Sequence, residues 1–191
     1  MAEDVLDRIY GALVDRNGLP KKSELSPKVQ QRQPANFLRH VVALTATKLG
    51  DGIVDPKLVL SWLLGTLGAS PVAIGLLVPL REAGALLPQL ALSRRVDRCD
   101  LKKRVWALGA FGQGACVLGM AIVARALTGR EAGWAILAFL GLFALSRSLC
   151  SVSYRPLQGA TLVRATRGTS TGTAGTLASI GVFLFGGLLA A

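Results

Sequence analysis

Histidine occurs once in this chain, at His40, and cysteine three times, at Cys99, Cys116 and Cys150. One imidazole cannot supply a paired-histidine metal site, nor a Ser/His/Asp relay unless other groups substitute. The cysteines lack metal-ligand spacing, and an odd number gives no disulfide framework. They are expected to be free thiols. No glycine-rich phosphate loop precedes a plausible helix. No metal site, cofactor or catalytic residue is therefore expected, and the chain does not read as an enzyme. Charge is scarce as well: 17% of the 191 residues are Asp, Glu, Lys or Arg, against about 25% in an ordinary soluble domain. Across the blocks 58–92, 105–124 and 133–146, only Arg81 and Glu82 are charged.

What is abundant is hydrocarbon. Hydrophobic residues make up 51% of the chain and the mean hydropathy is +0.48. A spanning helix needs about 20 mostly apolar residues, and these blocks are long enough. The expected class is all-α, a polytopic helical membrane bundle in contact with lipid. The formal charge of +11 would suggest nucleic acid in a soluble protein. Here the cations lie between apolar blocks and no aromatic-and-basic groove pattern accompanies them, so no nucleic-acid partner is expected.

Residues 1–35 are polar and are expected to form a cytoplasmic N-terminal segment ahead of a transmembrane bundle over 36–191. Val5, Leu6, Ile9, Tyr10, Leu13 and Val14 recur at helical spacing and predict a short amphipathic helix over 4–16. Its apolar face could meet either the membrane or the bundle. A proline-containing linker follows. About five spans are expected: 37 to about 66, 70–92, 104–125, 132–154, and one from about 169. The first is longer than the hydrocarbon core requires, and Pro56 with the nearby glycines predicts a kink in it. Lysines and arginines number seven in 1–39, six in 93–104 and three in 155–168, while Lys57, Arg125 and Arg130 lie on the other side. Sixteen against three places the N-terminus in the cytoplasm. Five is an odd number of spans and the last ends without a polar flank or interfacial anchor, so a longer parent chain with a further C-terminal part is expected.

Six charges fall within the expected spans: Lys48, Asp51, Asp55, Arg81, Glu82 and Arg147. They sum to zero. A charge at membrane depth costs about 2.5–3.5 kcal/mol on insertion scales, so such groups face protein or a water-filled cavity. Lys48, Asp51 and Asp55 are spaced by three and four residues and predict one helix stripe. Glu82 and Gln89, seven apart, share a second face, with Arg81 about 100° away. Arg147 stands among Ser146, Ser148, Ser151 and Ser153. Two readings fit: a path for a solute or coupling ion, or ion pairs that lock helices together in a non-transporting scaffold or receptor subunit.

Several stretches resemble the N-terminal part of a major facilitator superfamily transporter. LGASPVAIGLLVPLREAGALLPQ is similar to the second-span region of a bacterial branch. SRRVDRCDLKKR resembles the superfamily loop Gly-x-Leu-Ala-Asp-Arg-x-Gly-Arg-Lys. Asp97 and Arg98 stand at its Asp and Arg, and Ser93, Arg95 and Asp100 replace its Gly, Leu and second Gly. ALSRSLCSVSYRPLQGATLVRATRGTSTG resembles the fourth-span stretch, with Arg147 as the embedded arginine and Arg167-Gly168 opening the fifth span. Val182 and Phe183 stand where drug/proton antiporters carry Gly-Pro before Gly186-Gly187. The resemblance implies a bacterial inner-membrane permease: a secondary active transporter of a small solute, coupled to protons and working by alternating access. It also implies proton coupling through Arg147.

Overall fold

A computed structural model of the chain describes residues 2–14, 25–97 and 102–190. These residues are helical, with no strand among them. The helices are α1 (Ala2–Leu13), α2 (Pro27–Gln31), α3 (Gln33–Ile53), α4 (Val59–Thr66), α5 (Pro71–Asp97), α6 (Lys102–Ala126), α7 (Gly129–Thr161) and α8 (Arg164–Ala190). Four stretches are long and apolar enough to cross a membrane: Pro71–Gln89, Lys102–Ala126, Gly129–Thr161 and Arg164–Leu188. The architecture is an all-α membrane bundle.

The expected first span, 37 to about 66, differs most from expectation. It is two helices, α3 and α4, and neither meets the length and apolarity of a span by itself. The chain leaves the helix at Val54–Leu58. Pro56 is the cause: it has no N–H to donate, and its ring disfavours helical geometry at Asp55 before it. The kink expected at Pro56 is thus a complete break. The expected loop over 155–168 is also mostly helix, since only Leu162 and Val163 separate α7 from α8. Arg155 and Arg164 are exposed. Cations there mark the end of the apolar stretch but not the end of the helix. Pro156 lies inside α7, as spanning helices tolerate where neighbours satisfy the freed backbone.

The chain divides into two compact units, Met1–Gly52 with Leu157–Ala191, and Ile53–Pro156. In the first, α3 and α8 run parallel. Thr45 donates to the Ala174 carbonyl at 3.4 Å, Leu49 packs at Gly181, and Gly52 at Val182, so numbers rise together along both helices. The approach is close because α8 presents Thr166, Ser170, Ala174 and Ala178, four residues apart, all small and all buried. Helix α1 closes this unit's core: Tyr10 and Val14 pack with Phe37, Val41, Leu162 and Ala174. The Tyr10 ring meets Phe37 edge-on at 5.3 Å. The bundle thus takes part of the amphipathic helix's apolar face.

In the second unit α5 and α7 are parallel, with Ala69 and Ala73 at Gly133, Leu80 at Gly141 and Gly84 at Ala144. Helix α6 runs antiparallel to α7, with Gly109 and Gly112 at Ser146 and Gly119 at Phe139. Leu60, Leu64, Leu77, Met120, Ile136, Leu140 and Phe143 fill the core between them.

The distribution of side chains is that of a protein in lipid. Helix α6 buries Gly109, Gln113, Cys116 and Met120 and exposes Leu108, Phe111, Leu118 and Ile122. Helix α8 does the same, burying Thr166 and Ser170 while Ile180, Phe183, Leu184 and Leu188 point outward. Its outward face is therefore more apolar than its inward one. In water such patches would drive aggregation. In hydrocarbon large side chains gain nothing by leaving the lipid, and helices associate through close backbone approach instead.

The α6–α7 seam depends on that approach. A Cβ at Gly109 would fall 2.7 Å from the Cys150 sulfur and from the Ser146 carbonyl oxygen, and one at Gly112 would fall 2.5 Å from the Ser146 hydroxyl. Gly114, on the exposed side of α6, has nothing nearby. Gly109→Val is expected to destabilise the bundle by about 1–3 kcal/mol, read as earlier thermal unfolding in detergent micelles. Gly114→Ala is expected to leave the unfolding temperature unchanged or slightly raised.

Candidate functional site

The centre of the candidate site is the helix break itself. Asp55 sits in it, and its Oδ1 accepts the backbone N–H groups of Lys57 at 2.9 Å and Leu58 at 3.0 Å. The Ser61 hydroxyl donates to the Pro56 carbonyl at 2.6 Å, and the Leu60 N–H to the Asp55 carbonyl. The unwound backbone therefore finds its partners within the protein. The second oxygen of Asp55, Oδ2, lies 3.7 Å from Nη1 of Arg81. Arg81 stands ten residues beyond Pro71, the first residue of α5. That is about 15 Å along the helix, half of a hydrocarbon core about 30 Å thick. The pair thus lies near the middle of the span. Arg81 is the more enclosed partner, its side chain 14% exposed against 33% for Asp55. The separation exceeds the ~2.8 Å of a direct charge-assisted hydrogen bond, so the attraction is mainly Coulombic.

The break corrects the expectation that Lys48, Asp51 and Asp55 share a stripe. Helix α3 ends at Ile53, so the stripe stops at Asp51 and Asp55 is re-aimed by the turn. Lys48 and Asp51 belong to the first unit and Asp55 to the second. Both α3 residues are half-buried. The Lys48 ammonium rests over α8, where a Cβ at Gly175 would come within 3.2 Å of it. One carboxylate oxygen of Asp51 is closed off from solvent.

The remaining candidates lie in the second unit. Glu82 is exposed and, among the described residues, makes no ion pair or hydrogen bond. Gln89 is half-buried. Adjacent residues on α5 thus separate, with Arg81 turned toward the protein and Glu82 away from it. Arg147 is half-buried one turn before Cys150, whose thiol donates to the Trp106 carbonyl at 3.4 Å. The buried Gln113 lies beside the same thiol, and its amide nitrogen meets no acceptor among the described residues. Ser148 is wholly buried. Of the loop motif, Arg98 lies outside the described residues, and Asp97 ends α5. No group of three or more potential metal-ligating side chains occurs among the described residues.

Sequence reasoning missed a second polar centre, at the α7–α8 turn. The last carbonyls of a helix have no partner within it. Here side chains supply them. Arg167 donates to Leu162 O at 3.1 Å and to Gly159 O at 3.0 Å. The Gln33 amide donates to Thr161 O at 3.0 Å and accepts the Val163 N–H at 3.3 Å, and Asn36 also reaches Thr161 O. Gln158 returns to Ser170 Oγ at 3.2 Å. His40 Nε2 lies 2.7 Å from the Thr161 hydroxyl. That hydroxyl has one proton and gives it to Leu157 O at 2.8 Å, so His40 is the donor and carries its proton on Nε2. The available signal was Gln33, Asn36 and His40 at helical spacing ahead of the first apolar run. It was masked by the linker prolines.

No family model matches the chain, and neither does any curated protein or solved structure.

The two centres separate by substitution. Asp55→Asn keeps an oxygen acceptor for the turn and removes the ion pair, whereas Asp55→Ala removes both. Alanine is expected to cost about 1–2 kcal/mol more than asparagine in a detergent unfolding titration. Gln33→Leu leaves the Thr161 carbonyl and the Val163 N–H short of a partner and is expected to cost about 1–3 kcal/mol. Its signature would be faster amide exchange at the start of α8.

Proposed function

We propose that this chain is part of a secondary active transporter. It would move a small solute across a bacterial inner membrane by alternating access, with its N-terminus in the cytoplasm and proton movement coupled to the solute. The observation that carries this reading is the Asp55–Arg81 pair at a helix break about halfway along a span. Non-helical backbone at membrane depth is tolerated where it lines a cavity or is enclosed by protein, and transporters place solute and ion sites at such breaks. The Asp55 side chain is one-third exposed, so water reaches its carboxylate. Protonation would remove the Asp55 charge facing Arg81 while the backbone turn keeps its acceptor. Two states then differ by one proton at a named atom, which is the differential interaction that coupling requires. The exposed Glu82 adds support, since a carboxylate there needs water or another protein surface.

The pattern of spans and the partial motifs around Asp97 and Arg98, Arg147, and Arg167 with Gly168 favour a transporter of the major facilitator type. The parallel packing of α3 and α8 agrees with an odd number of crossings between them. The second reading, a scaffold locked by ion pairs, is favoured by one observation: Asp55 also holds the turn, so the pair doubles as a structural clamp.

Single cysteines at positions 51, 81, 82 and 147, in a chain freed of its native cysteines, distinguish the two. A transporter is expected to show labelling by a membrane-impermeant thiol reagent that switches side or extent with pH. Protection from both sides at every pH would mean a clamp and end the transporter reading. In the same assay Asp55→Asn is expected to abolish the pH dependence while leaving insertion intact.

A further inference from the structure

The apolar face of α1 is only half used. At about 100° per residue, Val5, Ile9 and Leu13 lie on one edge of that face, and Leu6, Tyr10 and Val14 continue it. Tyr10 and Val14 are buried against α3 and the α7–α8 turn, whereas Val5, Ile9 and Leu13 are 52%, 40% and 39% exposed. The depth at which this edge lies can be read from the helices that hold it. On α3 the exposed surface changes from Arg39 to Val42 within one turn, and α1 docks on Phe37 and Val41 at that same level. On α8 the exposed face begins with Arg164 and is apolar by Leu177 and Ile180, with the contact residue Ala174 in between. The open edge of α1 therefore lies where the outer surface of this unit turns from cationic to hydrocarbon. Lys28, Arg32, Arg39 and Arg164 are exposed on the same unit.

We infer that α1 is an interfacial anchor, its Val5–Ile9–Leu13 edge seated at the boundary between headgroups and acyl chains of a bilayer rich in anionic lipid. A helix buried a few ångströms into that boundary satisfies its apolar edge while its polar side stays in water. Each cation near an anionic surface adds about 1 kcal/mol of attraction, screened by salt. A protein partner on the same edge is the competing outcome. The inference rests on the membrane character of the bundle and not on transport.

The test uses the full chain in proteoliposomes, with the native cysteines replaced and a nitroxide attached at position 5, 9, 13 or, as a control, 11. Gly11 is exposed and faces away from the apolar edge. Labels at 5, 9 and 13 are expected to be relaxed severalfold more by oxygen, which enters lipid, than by a water-soluble nickel chelate, with the ratio reversed at 11. Equal access to the chelate at all four positions, or exclusion of both relaxants at 5, 9 and 13, would overturn the inference; the second result would mean a protein partner. Hydrogen exchange on the unsubstituted chain gives a readout independent of labelling. Replacing part of the phosphatidylcholine with phosphatidylglycerol is expected to slow exchange of α1 severalfold. High salt, or the Lys28→Gln, Arg32→Gln, Arg164→Gln variant, is expected to remove that slowing. Exchange indifferent to lipid charge would refute the anionic preference.

Discussion

Backbone N–H and C=O groups must find partners inside the protein wherever water is absent, and the rest of this fold depends on that constraint. Straight helices meet it automatically. Two of the places where the described chain departs from helix, Val54–Leu58 and Leu162–Val163, meet it with side chains. Asp55 and Ser61 supply the first turn, and Gln33, Asn36 and Arg167 the second. A group left unsatisfied and enclosed at such a position would cost about 1–3 kcal/mol. The polar residues of α3 are therefore as structural as its apolar ones.

The same environment inverts the usual packing rule. With lipid outside, apolarity does not draw helices together, and small residues do it by letting backbones approach. Gly109 and Gly112 on α6, and Thr166, Ser170, Ala174 and Ala178 on α8, form the seams, while phenylalanine and leucine go outward. A helix that cannot span alone is then placed by its neighbours: α4 lies against α5, and α3 lies along α8 through Thr45, Leu49 and Gly52.

Charge links this architecture to the proposed chemistry. Arg81 lies beside a counter-charge, and the residue that supplies it also holds the turn between α3 and α4. The ion pair and the break thus meet at one carboxylate: Oδ2 lies beside Arg81 while Oδ1 holds the turn. Glu82, one residue later, faces outward because the helix turns it by about 100°. Two charges adjacent in sequence therefore have different surroundings.

The sequence by itself determined the helical class, four of the five long apolar stretches it led one to expect, and the existence of an amphipathic helix at the N-terminus. These follow from periodicity and from runs of residues too apolar for water, which are local properties. It also determined that Pro56 would interrupt the first apolar stretch, because proline's missing N–H is a covalent fact. Only the tertiary structure decided that the interruption is a full break, that Asp55 lies beside Arg81, and that Lys48 lies over Gly175. It alone showed that Gln33 and Arg167 close the α7–α8 turn. Each of these is a contact between residues distant in sequence, or a turn whose backbone partners come from outside it. Neither spacing nor composition encodes which helix faces which, because the same small-residue and polar stripes could satisfy several pairings until steric fit selects one.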